Sequence, residues 1–180
     1  MPEVEIRPAN QTDLPQLMAL QPVYNSSRVW QLDKMSADGT LGAQFREVRL
    51  PREARIEYSR GINQVFLSFS EEHEYFLTAL IDDQPIGFIH LSDRVAPRTA
   101  WVKDLIVREE LRHRGIGAAL LLAGLDWSAE NGYRRVVVEM QSKNYPAICL
   151  VRKLGFEFAG YSDQFYSNQD IALFFGRPLK

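Results

Sequence analysis

Cysteine is almost absent from this 180-residue chain, Cys149 being the single one, which excludes an internal disulfide and any metal site built from several thiolates. No apolar run approaches the length of a membrane span. The start, Met1-Pro2-Glu3-Val4-Glu5, lacks the basic-then-apolar pattern of a secretory signal. Charge of either sign is not in excess. The 21 basic and 23 acidic residues leave a net −2, which gives no global reason to expect nucleic acid or an anionic membrane as partner. Internal repeats and low-complexity stretches are missing as well. These absences lead to the expectation of a cytoplasmic chain forming a single domain over residues 1–180, large enough to bury a core without staples.

What is present is concentrated around Arg112-His113-Arg114-Gly115-Ile116-Gly117. Residues 101–107 before it are apolar and β-branched and predict a buried strand. Residues 118–127 after it predict a largely buried helix of strong formers. A basic, glycine-containing turn between strand and helix suits a phosphate group. The first helical N–H groups have no partner inside the helix, and the helix dipole adds partial positive charge there. Gly115 and Gly117 let an anion approach the main chain closely. Two familiar phosphate loops are excluded: no Gly-Lys-Ser or Gly-Lys-Thr follows, and the pattern Gly-x-Gly-x-x-Leu lacks the third glycine of a dinucleotide fingerprint.

Along the rest of the chain, residues 4–7 predict a first strand, and Thr12 or Asp13 a cap for a helix to about Leu20. Residues 22–40 read as irregular, with Asn25-Ser26-Ser27 and Ser36-Ala37-Asp38-Gly39 as turns. A charged helix interrupted at Pro51 is expected within 41–60. Residues 75–81 and 86–91 flank Asp82-Asp83-Gln84-Pro85 and predict a hairpin. Further strands are expected over 134–140, 157–166 and 171–175, with a helix beginning at Asn144. The fold class is α/β (α+β), a mixed twisted sheet with helices on both faces.

The Arg-x-x-Gly-x-Gly pattern, five residues after Val107, resembles motif A of the GNAT N-acetyltransferase superfamily. Asn144, Ala147, Leu150 and Lys153-Leu154-Gly155-Phe156 are spaced as in its motif B. Lys103-Asp104, Glu139-Met140-Gln141 and the tail from Gly160 to Phe175 look most similar to streptothricin acetyltransferases, and less so to ribosomal-protein alanine acetyltransferases. The resemblance implies a GNAT fold whose central parallel strands splay apart to admit acetyl-CoA. The donor would be held by Leu105, Ile106, Val107, Arg112, His113, Arg114, Gly115, Ile116, Gly117, Ala118, Asn144 and Ala147.

Acetyl transfer to an amine needs a held thioester, a polarised carbonyl and a neutral amine. Candidates for the base are Asp104, Glu139, His90 and Asp93; Asp104 and Glu139 sit near the expected splay, though a carboxylate at a strand end is more often solvated or arginine-paired, and His90 reads as a half-buried strand residue. Val151 stands where the motif places tyrosine, the usual proton donor to the leaving thiolate, so Tyr145, Tyr161 and Tyr166 are candidate replacements. Tyr166 also reads as lining the acceptor pocket. Cys149 reads as a buried small hydrophobe, not a nucleophile. Asn144 reads as an N-cap, with a hydrogen bond to the coenzyme implied by the resemblance.

The expected activity is transfer of acetyl from acetyl-CoA to a primary amine of a small molecule, such as streptothricin. Protein Nα- or lysine acetylation is the alternative, and a non-catalytic acyl-CoA sensor a second. Glu71, Glu72, Glu74 and Asp163 form a candidate acidic rim for a cationic acceptor. No metal, nucleic acid or membrane partner is expected; a homodimer, with Phe174-Phe175 at an interface, is one option.

Overall fold

The computed structural model describes residues 3–180; Met1 and Pro2, on which part of the reading of the chain's start rests, lie outside the described residues. Short runs rich in apolar residues in the second half form strands, the central ones buried on both faces, and the turn at Asp82-Asp83 has positive φ. β4 (Glu74–Ile81) and β5 (Gln84–Ser92) are linked by Asp82 and Asp83 at φ 49° and 59°, the left-handed pair a two-residue hairpin turn needs. With β1 (Glu5–Pro8), β6 (Thr99–Val107), β7 (Arg135–Gln141), β8 (Glu157–Ser162) and β9 (Ala172–Pro178) they form one mixed sheet, ordered β1-β4-β5-β6-β7-β9-β8.

Two short helices, α1 (Leu14–Met18) and α2 (Ile62–Phe66), cover one face through Leu17, Val65 and Phe66 against Phe76, Phe88 and Ile106. On the other face lie α3 (Ile116–Glu130) and α4 (Tyr145–Lys153), which bury Ile116, Leu120, Leu121, Ile148 and Val151 against strand residues such as Ile89, Val102 and Val138. Each such side chain contributes roughly 1.5–3 kcal/mol on burial. Asp13 precedes α1 but makes no cap hydrogen bond to it. Its carboxylate instead accepts from Asn10 N (2.8 Å) and from both terminal nitrogens of Arg7 (2.8 and 2.9 Å), tying β1 to the helix.

Residues 22–60 depart from expectation. In place of an irregular stretch and a charged helix, β2 (Val23–Ala37) and β3 (Thr40–Glu57) form a long antiparallel hairpin. Asp38 and Gly39 make its turn, both with positive φ (47° and 78°), so the Asp-Gly signal marks a hairpin and not a loop. Pro51 causes no break because the register jumps there, from Ser26↔Ala54 to Arg28↔Arg49. The proline sits in a bulge where no ladder hydrogen bond is needed. Trp30 and Phe45 fasten the hairpin to the main core, and Trp30 N donates to Ser142 O (3.0 Å).

Phe175 joins the core, and the half-buried Phe174 packs edge-on against Trp101 with ring centroids 5.2 Å apart. Cys149 is exposed, against the expectation of burial. On α4, Ile148 and Val151 take the inward direction, and a residue one step from Ile148 turns about 100° away.

Candidate active site

The central relationship is between β6 and β7. They pair in parallel only from Thr99↔Arg135 to Val102↔Val138, and then part. Lys103 starts the divergence: His90 pairs with Asp104 and Leu91 with Val102, which leaves Lys103 as an extra residue in β6. A bulge of this kind increases local twist and re-aims the strand. Past it lies a narrow cleft, lined by residues of β6, β7 and α4 and by Tyr58, Arg60 and Tyr166.

One mouth of the cleft is the turn into α3. Gly115 caps the helix at φ 86°, a left-handed conformation that glycine adopts without strain. From His113 through Ala118, no backbone N–H has a hydrogen-bond partner among the described residues; the first one paired is Ala119, to Gly115 O at 2.9 Å. His113, Arg114 and Gly115 are exposed, while Ile116 is buried and anchors the turn. The result is a run of outward-facing amides at a helix N-terminus, the arrangement that holds a pyrophosphate.

Arg112 departs from its expected role. Its Nε donates to Val107 O (2.9 Å), Nη1 to Val23 O (2.6 Å) and Nη2 to Gln21 O (3.4 Å), while its own amide donates to Glu109 O (3.2 Å). The side chain is a tether between β6 and the root of β2, not a group directed at phosphate. The open edge of β6 is formed by Leu105 and Val107, whose carbonyls accept from Tyr58 Oη (3.1 Å) and Arg112 Nε. Ile106, between them, turns its backbone toward β5 by strand alternation, and its side chain is 1% exposed beneath α1 and α2. It is therefore removed from the expected set of donor contacts.

Asn144 caps α4 by accepting from Ala147 N (3.2 Å), and it also lies within hydrogen-bonding reach of Tyr58. Both Asn144 and Ala147 line the cleft. Tyr58 was not singled out in the sequence, yet it spans the splay from Leu105 to Asn144. Burial pushes its hydroxyl above the usual range, so it stays protonated at neutral pH.

The opposite side of the cleft is ionic. Arg60, also missed in the sequence, donates from Nη2 to Glu139 Oε1 (2.9 Å) and to Lys103 O (2.8 Å), and from Nε to Asp104 Oδ1 (3.3 Å). Trp101 Nε1 holds the other Glu139 oxygen at 3.0 Å. Burial alone would raise the Asp104 carboxyl, but the hydrogen bond from His90 and the Arg60 charge outweigh it and hold it below the ordinary carboxylate range. Asp104, Glu139 and Tyr166 come together here as expected, with the Tyr166 ring centroid 5.9 Å from the Arg60 guanidinium carbon. Burial, then the nearby Glu139 charge, raises the Tyr166 hydroxyl. The late loop that carries Tyr166 is fastened through Asp170, which accepts from Gln141 Nε2 (2.8 Å).

Several other candidates lie elsewhere. Asp93 pairs with His73 and the Tyr133 hydroxyl beyond the end of α3, so it is no base for this cleft. Tyr145 lies on the solvent side of α4 near Arg28, and Tyr161 packs on Phe45. Neither replaces the tyrosine missing at Val151, which lines the cleft itself. Of the expected acidic rim, Glu71 pairs with Arg94 and Asp163 with Lys34, while Glu74 is buried. His90 is fully buried at 2% exposure, not half-buried.

This geometry is matched by comparison with known proteins. The sequence profile of the acetyltransferase (GNAT) family matches residues 40–156, and the chain belongs to that family. It is an acyltransferase, of a family that takes acetyl from acetyl-CoA to amine acceptors. The chain is 30% identical over 122 residues to an N-alpha-acetyltransferase of Saccharolobus solfataricus, covering 58% of this chain and 69% of that one. In fold it is similar to nourseothricin acetyltransferase, with a TM-score of 0.81 at 24% identity over 98% of this chain and 99% of the other. It is also similar to a Bacillus anthracis structure described as a streptothricin acetyltransferase in complex with acetyl coenzyme A, with a TM-score of 0.78 at 20% identity and 99% coverage of both chains. Among the described residues no helix is long and apolar enough to cross a membrane.

Proposed function

We propose that this chain, working as one domain, transfers acetyl from acetyl-CoA to a primary amine of a small cationic molecule, of the streptothricin kind. The observation that carries this reading is the cleft at the β6–β7 splay, with free amides of α3 at one mouth and the Asp104–Arg60–Glu139 cluster on the other side. The amides from His113 to Ala118 hold the pyrophosphate, and Arg112 takes no part in it. The open edge at Leu105 and Val107 takes the pantetheine arm as an added strand, and edge N–H groups polarise the thioester carbonyl.

The amine arrives as an ammonium and has to lose a proton before it attacks. Glu139 takes that proton, directly or through water. Attack forms the C–N bond and puts negative charge on the carbonyl oxygen; the nitrogen, now cationic, gives its second proton to water, and collapse breaks the C–S bond and expels the coenzyme thiolate. A thiol with pKa near ~8.5 leaves without an obligatory acid, which makes Val151 compatible with turnover. Tyr58 and Tyr166 are the cleft hydroxyls available to protonate it.

A second reading, acetylation of a protein N-terminus, is favoured by the sequence relative from Saccharolobus solfataricus. An α-amine is already partly neutral near pH 7 and asks less of the base than a lysine-like amine does. Thiol release with streptothricin, aminoglycosides, polyamines and peptides of varied first residue, read with product mass, separates the two. A small-molecule acceptor turned over well above any peptide is expected; the reverse order overturns the preferred acceptor.

A further inference from the structure

His90 lies behind the acceptor side of the cleft, and the mechanism above gives it no task. Each of its ring nitrogens meets a carboxylate: Nδ1 is 2.9 Å from Asp104 Oδ2, and Nε2 is 2.7 Å from Glu74 Oε2. The ring stacks on Phe76, centroids 4.1 Å apart and planes within 9°, which fixes the plane and so both hydrogen-bond directions. Glu74 is held in turn by Ser92 Oγ (3.1 Å) and by Lys103 Nζ (3.6 Å). The side chains of all three ionisable groups are 2–4% exposed.

Three ionisable groups so deeply buried are costly unless each is paired, and here each is. The groups facing His90 are Glu74 and Phe76 from β4, and Asp104 and Lys103 from β6, with Arg60 behind Asp104. The buried residues of α1 and α2 are Leu17, Val65 and Phe66, so those elements add no titratable group. The chain of contacts reaches the acceptor side of the cleft through Asp104, whose Oδ1 faces Arg60.

We propose that Glu74 and His90 are the positioning pair of the acceptor site: His90 clamps Asp104 Oδ2, so that Asp104 presents Oδ1 as a standing anion that binds the acceptor's positive charge, while Glu139 alone exchanges protons. This rests on the amine-acceptor reading above and divides its two carboxylates between two tasks. An ionised carboxylate only accepts hydrogen bonds, and a donor fixed on Oδ2 favours the charged form. Glu139 is held differently: Arg60 Nη2 donates to Oε1 and the neutral indole N–H of Trp101 to Oε2, with no buried histidine–carboxylate pair behind it among the described residues. Two carboxylates in unlike surroundings can take unlike roles, one binding charge and one moving protons. Arg60 occupies the cation's place between them, and the acceptor's ammonium replaces it at Asp104.

The test reads Asp104 directly. Carboxyl carbon NMR on aspartate-labelled protein, with Asp104 assigned by its loss in Asp104→Asn, follows its titration in wild type, His90→Gln and the isosteric Glu74→Gln. Steady-state kinetics with streptothricin, or with spermidine and an alanine-initiated peptide in its place, are run alongside. The midpoint is expected to move up by at least one pH unit in His90→Gln and by less in Glu74→Gln. The acceptor KM is expected to rise tenfold or more while the acetyl-CoA KM stays within twofold. An unmoved midpoint in two folded variants overturns the clamp; a moved midpoint with an unchanged acceptor KM overturns the binding role. Absence of turnover with every amine in wild type counts against the acceptor reading instead, and the titration still decides the clamp.

Discussion

Arg60 Nη2 stands 2.9 Å from Glu139 Oε1, and the same guanidinium reaches Asp104 Oδ1 at 3.3 Å. One cation thus neutralises both carboxylates of the acceptor side, and both carboxylate side chains are at most 5% exposed. Removing one partner of a buried pair leaves uncompensated charge and costs about 3 kcal/mol or more. Arg60→Gln is expected to lose that much stability at pH 7 in urea titrations. The loss should shrink toward pH 4, where the orphaned carboxylates can take up protons. A pH-independent loss would show that shape, and not charge, is what Arg60 supplies.

Arg112 is a structural tether in spite of its place in the phosphate-binding motif. Its contacts to Val107, Val23 and Gln21 carbonyls are charge-assisted hydrogen bonds worth roughly 1.5–3 kcal/mol together with their desolvated partners. Arg112→Ala is expected to lower the melting temperature and to expose the root of β2 to hydrogen exchange. Its effect on acetyl-CoA affinity in calorimetry should be smaller than that of a change at Gly117.

Tyr58 holds Leu105 O on the strand edge assigned to pantetheine. Donor binding has to displace that hydroxyl, a neutral hydrogen bond worth about 1 kcal/mol. Tyr58→Phe is therefore expected to tighten acetyl-CoA binding about fivefold by calorimetry. Weaker binding would mean that the hydroxyl contacts the donor.

The Asp13 carboxyl is held below its usual range, first by its hydrogen bonds from Arg7 and then by the Asn10 amide against the effect of burial. A folded pKa below the unfolded one adds stability that is present above the unfolded value, near ~3.9, and is lost as pH falls through the folded value. Asp13→Asn should cost about 2 kcal/mol at pH 7, and the gap in melting temperature between the two proteins should narrow below about pH 4. A constant gap across that range would contradict the assignment.

The second half of the fold was legible because its elements announce themselves locally. The Asp82-Asp83 turn between two apolar runs, the glycine turn into α3, and the Asn144 cap all act within a few residues. The β2–β3 hairpin was not. Phe45 and Val48, three residues apart, face partial burial while the residues between them are exposed, which mimics a helix face. A two-stranded ribbon held to the core at Trp30 and Phe45 has little reason to alternate elsewhere. Misreading that segment hid Tyr58 and Arg60, whose roles depend on partners 47 and 44–79 residues away. Asp104 and Glu139 were found because strand ends near a splay are few. The burial of His90 was not, since its partners lie on neighbouring strands, 14 and 16 residues off.

Gly117 offers the most direct test of the central claim, that acetyl-CoA is held by the α3 amides and consumed at the β6–β7 splay. A Cβ at Gly117 would meet Leu150 at 3.5 Å, an ordinary contact, with no positive φ to strain it. An aspartate in the first turn of α3 suits the helix dipole but repels a pyrophosphate. Acceptor-dependent thiol release is measured for wild type, Gly117→Asp and Glu139→Gln, with melting temperatures recorded beside it. The account predicts turnover in wild type, loss of donor binding and turnover in a Gly117→Asp protein of undiminished stability, and retained donor binding with turnover lowered at least 100-fold in Glu139→Gln. Full activity in the folded Gly117→Asp variant would contradict it.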